Sequence, residues 1–171
     1  YVPADIPTGY TITGWNKWGA DTEDEAITFP YTIEDSPLRF YPKLEQGKTD
    51  INCDASKLAE TIAGLSAGEY KIIVSGTMTS DILAAVKTAM IDNESAKINL
   101  DLSGTTGLTC IDEDAFKDCN NLTGITIPFG VTDINYYAFA WCGNLTNVTI
   151  PDSVTSIGDS SFWGCRNLKS I

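Results

Sequence analysis

Three cysteines recur at a fixed interval in the C-terminal half of this chain, and thiols can bind metals or form disulfides. They are Cys119, Cys142 and Cys165, spaced 23 residues apart. A zinc site needs ligands that converge on one point, at Zn–S distances of about 2.3 Å. A fixed interval of this length is typical of a chain that folds as stacked coils. Equivalent side chains of stacked coils lie in a line, about 4.8 Å apart. That spacing is wider than the roughly 3.5 to 4.5 Å that a disulfide needs between Cβ atoms. We therefore expect a ladder of free thiols and no metal site.

Carboxylates are the other candidates for chemistry. Asp21, Glu23, Asp24 and Glu25 form an acidic run that could hold Ca²⁺, but it lacks the ligand spacing, turn glycine and distant Glu of a calcium loop. Asp112, Glu113 and Asp114 precede an Ala-Phe pair and suit the start of a helical turn. The chain has no histidine, the commonest general base. We find no nucleophile with a base and no cofactor fingerprint, and expect neither an enzyme nor a cofactor.

Composition narrows the class of partner. The 171 residues contain 11 basic and 23 acidic side chains, for a formal net charge of -12. Such a charge repels phosphate backbones and argues against nucleic acid as partner. No apolar run reaches the roughly 18 residues that a membrane span requires, so we expect no membrane insertion.

The cysteines belong to a longer periodic pattern that dictates the architecture. Four columns recur every 23 residues: Ile111, Ile134 and Ile157; Phe116, Phe139 and Phe162; the three cysteines; and Leu122, Leu145 and Leu168. A fixed period of about 20 to 50 residues is typical of a solenoid, in which each supersecondary unit stacks on its neighbours. We predict an α/β repeat solenoid with a parallel sheet and the Ile, Phe, Cys and Leu columns facing inward.

The two later coils also contain a predicted strand that ends at a proline. Residues 122–127 and 145–150 alternate apolar and polar side chains near their ends, and Pro128 and Pro151 follow them. The sequence pattern of these coils closely resembles the BspA-like leucine-rich repeats. It reads Leu-Thr-x-Ile/Val-Thr-Ile-Pro-x-x-Val-x-x-Ile-x-x-x-Ala/Ser-Phe-x-x-Cys. This resemblance covers about residues 98–171. It implies a bacterial cell-surface or secreted protein that binds host matrix proteins or other cells.

Residues 47–97 lack the repeat and are predicted to form a helix–strand–helix cap over the first coil. Asp54 suits the start of a helix that Gly64 ends, and residues 69–75 are predicted to be a strand. A second helix is expected from a Thr79 or Ser80 cap to about Asp92, with an apolar stripe of Ile82, Val86, Ala89 and Met90.

Residues 1–46 form a third segment, predicted as a small all-β module. Aromatic, alternating stretches lie at 9–15, 29–33 and 38–44. They are similar to the second half of a Listeria-Bacteroides repeat, also called the internalin B-repeat, although Ile12, Pro42 and Leu44 depart from its usual residues.

Strand alternation predicts a polar stripe on the outward face of the repeat sheet. Its members are Asp101, Gly124, Thr126, Asn147, Thr149 and Ser170. Trp141 and Trp163 occupy positions that vary between coils, and they are either exposed contact residues or partly packed against the neighbouring coil. Thr and Asn also suit strands for propensity and solubility alone, so the stripe need not bind anything.

Two functions remain open, and the first is the one that the resemblance implies. One is adhesion or protein–protein interaction through the leucine-rich-repeat face, with a host matrix protein or another cell-surface protein as partner. The other is a structural spacer within a larger envelope protein, with no ligand of its own. Solenoids commonly bind extended protein surfaces along such a stripe.

Overall fold

The computed structural model describes residues 10–17, 40–46 and 49–169. The chain divides into two compact units, Tyr1–Gly47 and Lys48–Ile171. In the first unit, strand β1 (Tyr10–Lys17) pairs antiparallel with β2 (Phe40–Gln46). Two of the three strands predicted there are thus present. The third, at 29–33, and the acidic run at 21–25 lie outside the described residues, and the likeness to the internalin B-repeat stays a prediction.

The second unit is built on a five-stranded, fully parallel sheet. Its strands follow chain order: β3 (Thr49–Asp54), β4 (Gly68–Thr77), β5 (Ala96–Thr106), β7 (Leu122–Thr126) and β9 (Asn147–Thr149). The last three belong to the periodic region, and each is followed by a turn. The prolines end the strands of the later coils as predicted, because a proline has no N–H to donate to the next strand.

A second, three-stranded parallel sheet forms another side of the coils. It contains β6 (Cys110–Ile111), β8 (Asp133–Ile134) and β10 (Ser156–Ile157). The Ile column therefore occupies one register position of this sheet. Ile111 and Ile134 are buried, whereas Ile157 in the last strand of the row is 51% exposed.

Two helices follow the first two strands of the large sheet. A 3₁₀ turn (Ala55–Lys57) leads into α1 (Leu58–Ala63), and α2 spans Ser80–Asp92. Asp54 accepts a hydrogen bond from the Ser56 N–H at the first turn, and Thr79 accepts one from the Ile82 N–H at the start of α2. Both caps match the sequence prediction.

The structure corrects two details of the region 47–97. Leu83 is fully buried in α2, whereas Ile82, predicted for the apolar stripe, is only partly buried. Residues 49–54 form a strand that the sequence analysis missed, although Ile51 and Cys53 alternate with polar residues there. This region continues the parallel sheet of the repeats through β3 and β4. Its role as a helix–strand–helix cap over the first coil stays a prediction.

The third side of each coil is a turn segment, which we call the turn face: residues 112–119, 135–142 and 158–165. Backbone hydrogen bonds join successive segments, from Phe116 N to Ala138 O at 2.7 Å and from Phe139 N to Ser161 O at 2.8 Å. The Phe column lies beneath it as a stack, with ring centroids 5.3 and 5.2 Å apart and planes within 3° of parallel. Equivalent residues of successive coils therefore lie above one another, as the 23-residue period predicts.

Candidate interaction surface

The predicted stripe lies on the outward side of the large sheet, where two rows of side chains cross the parallel strands. We call these rows the sheet face. One row is Asp50, Lys71, Asn99, Gly124 and Asn147, and the next is Asn52, Ile73, Asp101, Thr126 and Thr149. The sheet face thus contains all the predicted stripe residues that the structure describes. Ser170, the sixth, lies outside the described residues.

Asp101 is committed to contacts within the chain. Its carboxylate lies 3.6 Å from Lys71 Nζ and accepts hydrogen bonds from the Ser103 N–H at 3.1 Å and the Ser103 hydroxyl at 2.7 Å. Partial burial alone raises the pKa of Asp101, but the Ser103 hydrogen bonds and the Lys71 charge outweigh it and lower the pKa below its ordinary value. Asp101 therefore links the central strand β5 to Lys71 of β4 and has little capacity left for a ligand.

Gly124 lies in the outward row but is buried there. A Cβ atom at this position would lie 2.9 Å from Asn147 Oδ1 and 3.0 Å from Asn99 Nδ2. The amides of the flanking strands thus extend over the glycine from both sides. Because glycine has no side chain, it leaves the space that the two amides fill.

The accessible part of the predicted stripe is therefore its C-terminal portion. Thr149 is exposed, and Thr126 and Asn147 are half-buried. The hydroxyl of Thr146 donates to Asn147 Oδ1 at 3.1 Å, which helps to fix the Asn147 amide. These three side chains present hydroxyl and amide groups in adjacent strands at fixed separation.

The two tryptophans lie on the turn face and are both accessible. Trp141 is 43% exposed and Trp163 is 58% exposed, with ring centroids 6.5 Å apart and planes tilted by 56°. Part of the Trp141 ring packs on the next coil, since a Cβ at Gly164 would lie 2.7 Å from its Cε3 atom. Both alternatives left open by the sequence, exposure and partial packing on the neighbouring coil, thus hold for Trp141.

Sequence reasoning missed a column of asparagines that joins successive coils. Asn144 and Asn167 each donate a side-chain hydrogen bond of 2.7 Å to a backbone oxygen of the preceding coil, Asn120 O and Gly143 O. Asn121 is buried and donates to Met90 O and Asn93 O at 2.9 Å each. The spacing of 23 residues between these asparagines was the available signal.

The cysteine column forms a ladder of free thiols. The Cys142 and Cys165 thiols donate to Phe116 O and Phe139 O, each at 3.0 Å. Burial raises the pKa of Cys119 to about 12. The neighbouring Cys165 thiol, together with burial, raises the pKa of Cys142. Across residues 49–169, no group of three or more His, Cys, Asp or Glu side chains is arranged to hold a metal ion.

Comparison with known proteins identifies the type of repeat. Residues 94–171 match a family model described as BspA type Leucine rich repeat region (6 copies). The four columns recur three times within the matched residues. None of the curated proteins compared with this chain matches it. None of the helices in the described residues is long and apolar enough to cross a membrane. The region of residues 94–171 therefore consists of leucine-rich repeats that are similar to the BspA type.

Proposed function

We propose that this chain is a non-enzymatic module of a bacterial cell-surface or secreted protein, and that it binds another protein through its sheet face. The partner class is a host extracellular-matrix protein or another cell-surface protein. The family match supports interaction or adhesion in general, and the surface location follows the typical setting of BspA-like proteins. The specific face and partner are our inference.

The observation that carries this proposal is the polar row at the C-terminal end of the sheet face. Thr126 and Thr149 are paired in register in adjacent parallel strands, and Asn147 lies in the neighbouring row. Backbone ladders already hold these positions, so a partner that docks there orders little of this chain. Avoiding that ordering cost is how rigid repeats convert many small contacts into affinity.

A binding role also fits the chemistry of the side chains better than catalysis does. The chain contains no histidine, so the commonest general base is missing from its sequence. The buried thiol of Cys119, with a pKa of about 12, is protonated at neutral pH and is a poor nucleophile.

The test is a binding assay of the chain against a panel of immobilised matrix proteins, such as collagens, laminin and fibrinogen. Changing Thr126 and Thr149 to Lys inserts two long cations into the sheet face and should weaken binding at least tenfold. The matched control is Thr88→Lys, the same change at an exposed position of α2. Equal binding by the sheet-face and control variants would contradict the sheet face as the site, and no binding to any panel member would favour a spacer.

A further inference from the structure

The turn face contains an aromatic pair that the proposed sheet-face function does not use. Trp141 and Trp163 lie in neighbouring turn segments, and the Trp141 N–H donates to Trp163 O at 2.7 Å. A backbone hydrogen bond thus sets the spacing of the two indoles. Tryptophan is enriched among the residues that dominate binding energy at interfaces.

The backbone at Trp141 is held in a conformation that bulky residues avoid. Its φ is +62°, and the equivalent positions in the other two coils, Asp118 and Gly164, also have positive φ. Asp and Gly tolerate this left-handed region, whereas a bulky L-residue is strained there. A tryptophan at this position therefore carries a backbone cost, and part of its ring packs on Gly164.

The surroundings of the pair are acidic. The three turn segments contain five acidic side chains, Asp112, Glu113, Asp114, Asp118 and Asp159, against one base, Lys117. Lys117 is itself paired with Asp114, at 3.2 Å. Arg166 follows the third segment. Glu113, Asp118 and Asp159 are exposed on this face.

The second turn segment also contains an exposed phenol, Tyr136. A hydrogen bond with Tyr137 is the main cause that raises the pKa of Tyr136, and the charges of Asp159 and Glu113 raise it further. A negative potential that disfavours a phenolate also attracts cations to the same face.

The turn face already holds one cation against an aromatic ring. Lys117 Nζ lies 5.3 Å from the centroid of the Tyr137 ring, within the roughly 6 Å range of a cation–π contact. The same pairing of a lysine with a ring is therefore compatible with the local geometry. Trp is the ring type that binds cations most strongly.

We propose that Trp141 and Trp163 form a second binding site, distinct from the sheet face, for a lysine-rich segment of a partner protein. A lysine stem enters the wedge between the two tilted indoles, its ammonium group contacts a ring face, and neighbouring lysines pair with Glu113, Asp118 and Asp159.

The tilt of the rings favours a cation over a neutral sugar. Stacking an extended glycan on two tryptophans requires rings that are near one plane, and here the planes differ by 56°. Two rings at an angle instead form part of an aromatic cage, the arrangement that recognises ammonium groups. The net charge of -12 adds long-range attraction for a basic segment.

The experiment titrates the chain with a blocked decapeptide of alternating Gly and Lys and measures affinity by calorimetry. The Trp141→Asn and Trp163→Ala variants should each bind at least tenfold more weakly. Asn is chosen at 141 because it tolerates positive φ. Raising the salt concentration should also weaken binding of the unmodified chain, since the attraction is partly electrostatic.

Two matched controls distinguish the tryptophan site from the sheet face and from a general effect of removing an exposed aromatic ring. Phe129→Ser removes another accessible aromatic, 79% exposed and outside the turn face, and should leave peptide binding unchanged. The Thr126→Lys and Thr149→Lys pair tests the sheet face alone, so failure of one proposal does not imply failure of the other. Thermal unfolding of each variant verifies that it is folded.

Three outcomes would overturn the proposal. The first is unchanged peptide affinity in both folded tryptophan variants, and the second is equal binding of a Gly and Glu decapeptide. The third is binding of a neutral hexasaccharide, such as cellohexaose, that requires both tryptophans while the lysine peptide does not bind. That last result would assign the pair to a carbohydrate.

Discussion

The rings of Phe116 and Phe139, 23 residues apart in the sequence, are parallel to within 2° and have centroids 5.3 Å apart. Both side chains are fully buried, and Phe139 continues the stack to Phe162. The rings therefore pack between successive coils. Phe139, the central ring, stacks on Phe116 on one side and on Phe162 on the other.

Phe139→Ala should destabilise the fold by about 3 to 5 kcal/mol, the usual cost of a large cavity in a core. Phe162→Ala should cost less, because Phe162 is only partly buried. The measurement is urea unfolding followed by circular dichroism. Phe129→Ala is the control and should stay within about 0.5 kcal/mol of the unmodified chain. Similar costs at positions 139 and 129 would contradict the stacked core.

Gly164→Ala should destabilise the chain by more than about 1 kcal/mol, for two reasons. The φ of Gly164 is +78°, and the new Cβ would lie 2.7 Å from the Trp141 ring. Gly64→Ala is the matched control, since its φ is -85° and the new Cβ meets only ordinary contacts. Combining Gly164→Ala with Trp141→Asn should cost less than the sum of the single changes, as expected for residues in contact. Additive costs in the unfolding midpoints would show that the ring does not press on Gly164.

Asn121→Ala should destabilise the chain by about 2 kcal/mol or more. The change removes two hydrogen bonds and leaves the buried Met90 carbonyl and the partly buried Asn93 carbonyl without the amide that donates to them. Asn144→Ala removes one bond at an exposed position and should cost under about 1 kcal/mol. Chemical unfolding of the two variants compares them directly. A larger loss for Asn144→Ala would refute the buried role of Asn121.

Alkaline pH should destabilise the fold through Cys119. Its pKa is raised from 9.0 to about 12 by burial, so the folded state keeps the thiol protonated while the unfolded chain ionises above pH 9. The stability that this thiol contributes is present below pH 9 and is lost as the pH rises from about 9 to about 12. Cys119→Ala should show a shallower loss of stability over that window, measured by unfolding at fixed pH. Identical pH profiles for the two chains would rule out this contribution.

The period of 23 residues predicted inward side chains that are buried in the first two copies, whereas Ile157 in the last copy is 51% exposed. The Ile and Phe columns lie in register because similar coils place equivalent side chains at the same point of each layer. The caps at Asp54 and Thr79 were also predictable, since they depend only on a polar side chain and the next few residues. Strand β3 was missed because its alternation is short and only half-buried.

The sequence by itself determined the repeat, its inward columns and the parallel direction of its strands, because those follow from local spacing repeated at one interval. Tertiary structure alone decided which polar and aromatic side chains are accessible. Gly124 is covered because Asn99 and Asn147 reach over it from other strands. Trp141 is only partly exposed on the turn face, because part of its ring packs against Gly164 of the next coil. Exposure depends on such neighbours, which are distant in the chain and differ from coil to coil.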